Sequence, residues 1–186
     1  MQAITSKNRE VATSIKLLGK SMHYVLENTG TDQTTLAKEL EYVEIYLSIQ
    51  KLRFGDRVNY SFHIAEDFHP EQYNILPLLL QPVVENAITH GLESTSQTGY
   101  IEISIKENKQ CLHITVTDNG DGIDEETLLT LTKRINSPSL SSSSSIGLYN
   151  INQRIKLMYG EKYGLHINST LHKGATVELV LPATYS

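Results

Sequence analysis

One cysteine, no surplus of positive charge and no long apolar run: each shortage in this 186-residue chain excludes a class of protein. Cys111 has no second cysteine to bridge to, so a disulfide scaffold is ruled out. Its setting in "QCLHITV" predicts a thiol buried in a strand, in keeping with a reducing compartment. Lys and Arg number 16 against 21 Asp and Glu, a formal net charge of −5. That balance offers no basic stripe to a nucleic-acid backbone or an anionic membrane surface. No apolar run nears the roughly 18–20 residues that span a bilayer, and the first residues lack the apolar stretch of a secretory signal. The expectation is a soluble chain of one domain plus an appendage, long enough to bury a real core.

What the chain does have is periodic patterning. Val11, Ile15, Leu18, Met22 and Val25 recur at alternating steps of four and three, the seam of one long helix packed into a bundle. In "ENTGTD", Gly30 can end that helix in a left-handed conformation, and Thr34 or Thr35 can cap the next one. The second helix runs to about Phe54, with Leu36, Leu40, Val43 and Leu47 on one face and Ile45, Ile49 and Leu52 on another, so it should lie between two layers. "RVNYSFHI" alternates like a strand. "NILPLLLQPVVENAITHG" reads as an apolar helix with Pro82 in its first turn. "YIEISIK" and "CLHITVTD" read as paired strands turning near Glu107–Asn108–Lys109. "NSPSLSSSSS" is too small and polar to offset chain ordering and predicts a mobile loop. A helix with Leu148, Ile151, Ile155 and Met158 on one face follows, and then a closing hairpin, "GLHINSTLHKGATVELVLP". This order predicts an α+β fold, a two-layer α/β sandwich with helices on one face of a mostly antiparallel mixed sheet, preceded by a long bundle helix.

"TVTDNGDGID" is the stretch richest in chemistry. Asn-Gly after an alternating strand is a strong hairpin signal. A hairpin needs a second strand, however, and the chain continues with Asp124, a helix cap candidate, and acidic first-turn residues. The segment is therefore strand, glycine loop, helix. A calcium loop is excluded, because counting from Asp118 puts Gly120 where the third-position ligand belongs.

Four segments together resemble the nucleotide boxes of the GHKL (Bergerat-fold) ATP-binding domains: "VVENAITHG", "DNGDGI", "SIGL" and "KGATVEL". "ELEYVEIYLSIQKLRFGDR", "LPLLLQPVVENAITHG" and "GLYNINQRIKLMYG" further resemble the LytS/YesM-like sensor histidine kinases, from about the first helix to the C-terminus. The resemblance implies residues 1–30 as the second helix of a dimerisation and phosphoacceptor region, and 31–186 as an ATP-binding catalytic domain. It implies ATP and Mg²⁺ as cofactors. Asp118 would accept a hydrogen bond from the adenine amino group, with Gly120 and Gly122 letting backbone approach the nucleotide and Ile123 beside them. Asn86 would hold Mg²⁺ through its side-chain oxygen, and Glu85 would polarise or position water. His90, one turn on, would touch phosphate or be satisfied by helix-terminal carbonyls. Gly147 and Leu148 would open the lid helix, with Ser145 replacing the first glycine of the usual box. Arg154, on the same helix, would meet phosphate or pair at the surface, the second being favoured. Gly174 and Thr176 would support the pocket from the sheet.

In the ATP-hydrolysing relatives a catalytic Glu lies four residues before the Asn; here that position is Pro82, which favours a kinase over an ATPase. None of the seven histidines stands in the acceptor context of this family, so the accepting His is expected upstream, and the chain alone should not phosphorylate itself. The partners implied are that acceptor helix, a response regulator and a second copy in the full-length protein. The location implied is the cytoplasmic part of a membrane sensor. The alternatives are a GHKL ATPase, a serine kinase of the anti-sigma type, or a dimerisation module that has lost nucleotide.

Overall fold

The computed structural model describes residues 2–28, 30–92, 98–137 and 146–185. The seam pattern becomes helix α1 (Gln2–Asn28), after which Gly30 adopts φ +87°. Thr35 caps helix α2 (Leu36–Phe54), its side chain accepting from the Lys38 amide, and Gly55 at φ +63° ends that helix. Leu36, Leu40, Val43 and Leu47 of α2 are buried in the main core. The second face is covered only in part: Ile45 is buried, whereas Leu52 is 44% exposed. Helix α1 therefore meets α2 near one end, where the Tyr24 and Tyr42 rings stack with centroids 4.4 Å apart.

A five-stranded sheet carries the rest. In chain order, β1 is Thr34–Thr35, β2 Val58–Ile64, β3 Asn74–Ile75, β4 Gly99–Asn108, β5 Cys111–Asp118, β6 Gly164–Thr170 and β7 Gly174–Pro182. The main sheet has the order β2-β4-β5-β7-β6; β2 and β4 are parallel and every other pair is antiparallel. The expected alternation holds along β4 and β5. Ile101, Ile103, Ile105, Leu112, Ile114 and Val116 are buried, and each full burial stabilises by about 1.5–3 kcal/mol. The β4–β5 turn lies one residue beyond its expected place, at Lys109 and Gln110 with φ +50° and +64°. A two-residue loop of type I′ has positive φ at both positions, which matches strand twist, and Lys-Gln carries no sequence signal for it. Cys111 opens β5 at the sheet margin and is only half-buried, so the expected buried thiol is corrected.

Three helices cover one face: α3 (Gln81–Asn86), α4 (Glu125–Ile135) and α5 (Ile146–Tyr159). The single long helix expected from Asn74 is not formed. Asn74 and Ile75 instead form β3, which pairs with β1, and Leu78 takes φ +58°, so α3 begins at Gln81 with Pro82 in its first turn. From Ala87 to Leu92 the helix widens to a π-helical turn. Asp124 caps α4 by accepting from the Thr127 amide, as the sequence predicts. On α5, Leu148, Ile151 and Ile155 are buried, but Met158 is 47% exposed, at the end of the helix beyond the sheet.

Candidate functional site

The segment after β5 is held open by backbone packed against backbone. A Cβ on Gly120 would lie 1.9 Å from the Gly91 carbonyl oxygen, and one on Gly174 the same distance from that of Asp118. A Cβ on Gly122, at φ +67°, would lie 2.1 Å from the Thr170 carbonyl oxygen. The two loop glycines are thus required by the protein's own chain, whatever occupies the space beside them. Gly91, in the π-helical turn, completes the contact: a Cβ there would meet the Asp118 carboxylate at 2.7 Å.

Asp118, last residue of β5, is 8% exposed. Its Oδ1 accepts from the Gly120 amide at 2.9 Å and from the Ala175 amide at 3.4 Å. Burial pushes its carboxyl above the usual range, and those two amides pull it part of the way back. Around it lies a cavity of about 510 Å³ between α3, α4, α5 and the sheet. Ala87, Val116, Ile123, Leu148, Ile167 and Val177 give it apolar walls, and Asn86, His90, Glu126 and Arg134 add polar atoms. One buried carboxylate in an apolar slot with several polar groups around it suits a flat, amine-bearing heterocycle with a charged tail.

The cavity brings together Asn86, His90, Asp118, Gly122, Ile123 and Leu148 of the expected set. Glu85, Gly120, Gly147 and Thr176 do not line it. Glu85 accepts from the Gln81 side chain at 2.7 Å, one turn back on α3. Thr176 pairs its hydroxyl with that of Thr117 across the β5–β7 ladder, 3.1 Å apart. Gly147 lies near Pro82, 3.9 Å between that ring's Cβ and where its own would stand, so an ordinary side chain fits there. Arg154 is neither a surface ion pair nor part of the cavity lining: its guanidinium donates to the carbonyls of Pro77 and Leu78, at 2.7 and 3.5 Å. The expected lid at 137–145, Ser145 included, lies outside the described residues except for Ser137.

Asn86 donates its Nδ2 to the Pro82 carbonyl at 2.8 Å, which fixes the amide plane and leaves Oδ1 as the atom suited to a hard cation. Among the described residues, no three His, Cys, Asp or Glu side chains converge as a metal cage. A cation at Asn86 would complete its shell from a ligand's oxygens and water, which is ordinary for Mg²⁺.

Sequence reasoning missed Gly91, Arg134 and Ser169. Ser169 on β6 accepts from the Ile123 amide and donates to the Gly174 carbonyl, both at 2.8 Å, and so ties the glycine loop to the closing hairpin. Gly91 stood inside a quoted motif, and the small residue at a helix end was its signal; Ser169 had none.

The family model described as histidine kinase-, DNA gyrase B-, and HSP90-like ATPase matches residues 75–185, and one described as histidine kinase matches residues 1–58. Sensor protein LytS of Oceanobacillus iheyensis is 36% identical over 165 residues, which cover 89% of this chain and 28% of LytS. Sensor histidine kinase YesM of Bacillus subtilis is 33% identical over 184 residues, covering 97% of this chain and 29% of YesM. The chain thus spans less than a third of the length of these curated relatives. Among solved structures, the catalytic domain of histidine kinase ThkA superposes with a TM-score of 0.60 at 18% identity, over 83% of this chain and 97% of that one. No described helix is long and apolar enough to cross a membrane.

Proposed function

Because the chain belongs to the histidine kinase-, DNA gyrase B-, and HSP90-like ATPases, we propose that it is the ATP-binding catalytic part of a two-component sensor histidine kinase. The observation that carries this reading is Asp118, a buried acceptor on the lining of a largely apolar cavity of about 510 Å³. Asp118 reads the adenine amine; Ile123 and Leu148 pack against the ring; His90 and Arg134 meet the phosphates. Asn86 holds Mg²⁺ through Oδ1. When bound, ATP supplies an electrophilic γ-phosphoryl whose transfer needs positioning and charge neutralisation more than covalent help from the protein. Pro82 offers no base on the first turn of α3, which disfavours attack by water.

Several assignments belong to the same proposal. Residues 1–30 belong to the dimerisation and phosphoacceptor region and 31–186 to the catalytic unit. Gly120 and Gly122 shape the adenine edge, Gly147 lets the lid helix approach phosphate, Thr176 supports the sheet side, and Glu85 orients water near the cation. The acceptor is a histidine outside these 186 residues. A response regulator takes the phosphoryl group onward, and the whole protein is a dimeric membrane sensor with this part in the cytoplasm.

Calorimetric titration tests the reading. Wild type should bind Mg²⁺-ATP, Asp118→Ala should lose at least about tenfold in affinity, and Asn86→Ala should bind with little dependence on Mg²⁺. A wild type that binds no nucleotide would sink the proposal and leave an inert module of the same fold. Labelled ATP with a separately supplied acceptor helix then distinguishes a kinase from an ATPase, which would release phosphate without any acceptor.

A further inference from the structure

Glu39 is a carboxylate with no exposed surface, lying on α2 and not part of the cavity lining. Its Oε1 accepts from the Leu78 amide at 2.7 Å and from the Tyr24 hydroxyl of α1. Its Oε2 accepts from the amides of Leu79 and Leu80, both at 3.1 Å. Those amides belong to the turn that opens α3, where a helix leaves donors without partners, and Leu80 supplies no side-chain cap. One glutamate from another element therefore does the work of a cap. The turn is also strained, since Leu78 at φ +58° occupies a region that a leucine rarely adopts. Its carbonyls are gripped from the other side: Arg154 of α5 donates to Pro77 and Leu78.

We propose that Glu39 is a positioning residue that couples the placement of α1 to the cavity, because a single carboxylate joins Tyr24 to the turn that carries α3 and is held by α5. The chain of contacts is short. A shift of α1 moves the Tyr24 hydroxyl, whose ring stacks on that of Tyr42. Glu39 then gains or loses one of its four donors and the Leu78–Leu80 turn tightens or loosens. Both Asn86, six residues further along α3, and Leu148, on the helix of Arg154, line the cavity. Loosening the turn thus displaces two walls together. A neutral amide in place of Glu39 cannot substitute, since it offers one acceptor oxygen to four donors. The consequence for nucleotide rests on the reading given above; the mechanical link does not.

Amide hydrogen exchange separates the two. Without nucleotide, Tyr24→Phe should speed exchange at Leu78–Leu80 and through Asn86 by about tenfold, while buried sheet amides of β4 and β5 change by less than about twofold. Glu39→Gln should do the same more strongly. Unchanged exchange at Leu78–Leu80 in Tyr24→Phe overturns the link, as does uniform acceleration through the sheet, which would mean only lost stability. With Mg²⁺ and a non-hydrolysable ATP analogue, wild type should show slower exchange over residues 20–28 of α1, and Tyr24→Phe should not. Equal responses in the two proteins, or none in a wild type shown to bind, would refute coupling to the ligand. Failure of wild type to bind the analogue would count against the nucleotide reading, and the ligand-free comparison would still decide the link.

Discussion

Asp118 and the glycines around it form a unit in which each residue type is dictated by its neighbours. Gly120→Ala drives a Cβ into the Gly91 carbonyl and should cost about 3 kcal/mol or more in urea unfolding. Gly147→Ala meets only the Pro82 ring at contact distance and should be neutral, or stabilising by up to about 1 kcal/mol. A drop in nucleotide affinity in that second variant would therefore report on the ligand alone. Asp118 also makes stability depend on pH with a definite sign. Its carboxyl is raised in the folded state, so the folded chain keeps a proton where the unfolded chain has lost it. The stability it contributes is full below the unfolded carboxylate range and is lost as pH rises through the folded value. The melting temperature of Asp118→Asn relative to wild type should accordingly improve between about pH 4 and about pH 7. Asp118 was legible in the sequence because a glycine loop directly follows an alternating strand. Gly174 was read as support for the pocket and Gly91 stood in a quoted motif, but that both close on Asp118 was not legible, since those contacts join segments far apart in the chain.

Among the elements, α3 and the π-helical turn that continues it carry Asn86 and His90, and this stretch was the least well drawn from sequence. Apolar residues dominate from Ile75 to Ile88, broken by Gln81, Glu85 and Asn86, but composition does not reveal that Leu78 turns the chain at positive φ. That turn exists because Glu39 and Arg154 hold it, and both lie in other elements. Strands β1 and β3 have two residues each, too few for a period to show. By contrast, β4 and β5 follow from alternation, α4 from its cap and α5 from its helical spacing, because each leaves its signal within the segment itself. Ile88, 1% exposed, anchors the π-helical turn to the sheet. Ile88→Ala should cost about 2–5 kcal/mol by denaturant titration, and should weaken nucleotide binding beyond that loss, because His90 and Gly91 share the turn.

For the whole molecule, α1 stands apart. Val11, Ile15, Leu18 and Met22 of the seam, with Leu26 beside them, are between 52% and 73% exposed, whereas Val25 is half-buried; among the described side chains of α1, those buried are Tyr24 and Asn28, at the end that meets α2. An apolar stripe of that length asks for a partner helix. In sedimentation the average mass should rise with protein concentration, and Ile15→Glu with Met22→Glu should hold it at the monomer value of 20.9 kDa. The seam was read from sequence; that it would lie uncovered was not, because periodicity records that a face is apolar and says nothing of what covers it.

The parallel pairing of β2 with β4 obliges the intervening chain, α3 included, to cross back over the sheet before β4 can pair with β2. The β4–β5 hairpin, being local, can zip early, whereas Gly174 reaches the Asp118 carbonyl only when the last strand arrives. During refolding, secondary structure should therefore recover before ligand-binding competence. A chain arrested before its final hairpin would hold most of the sheet and still lack a floor to its pocket.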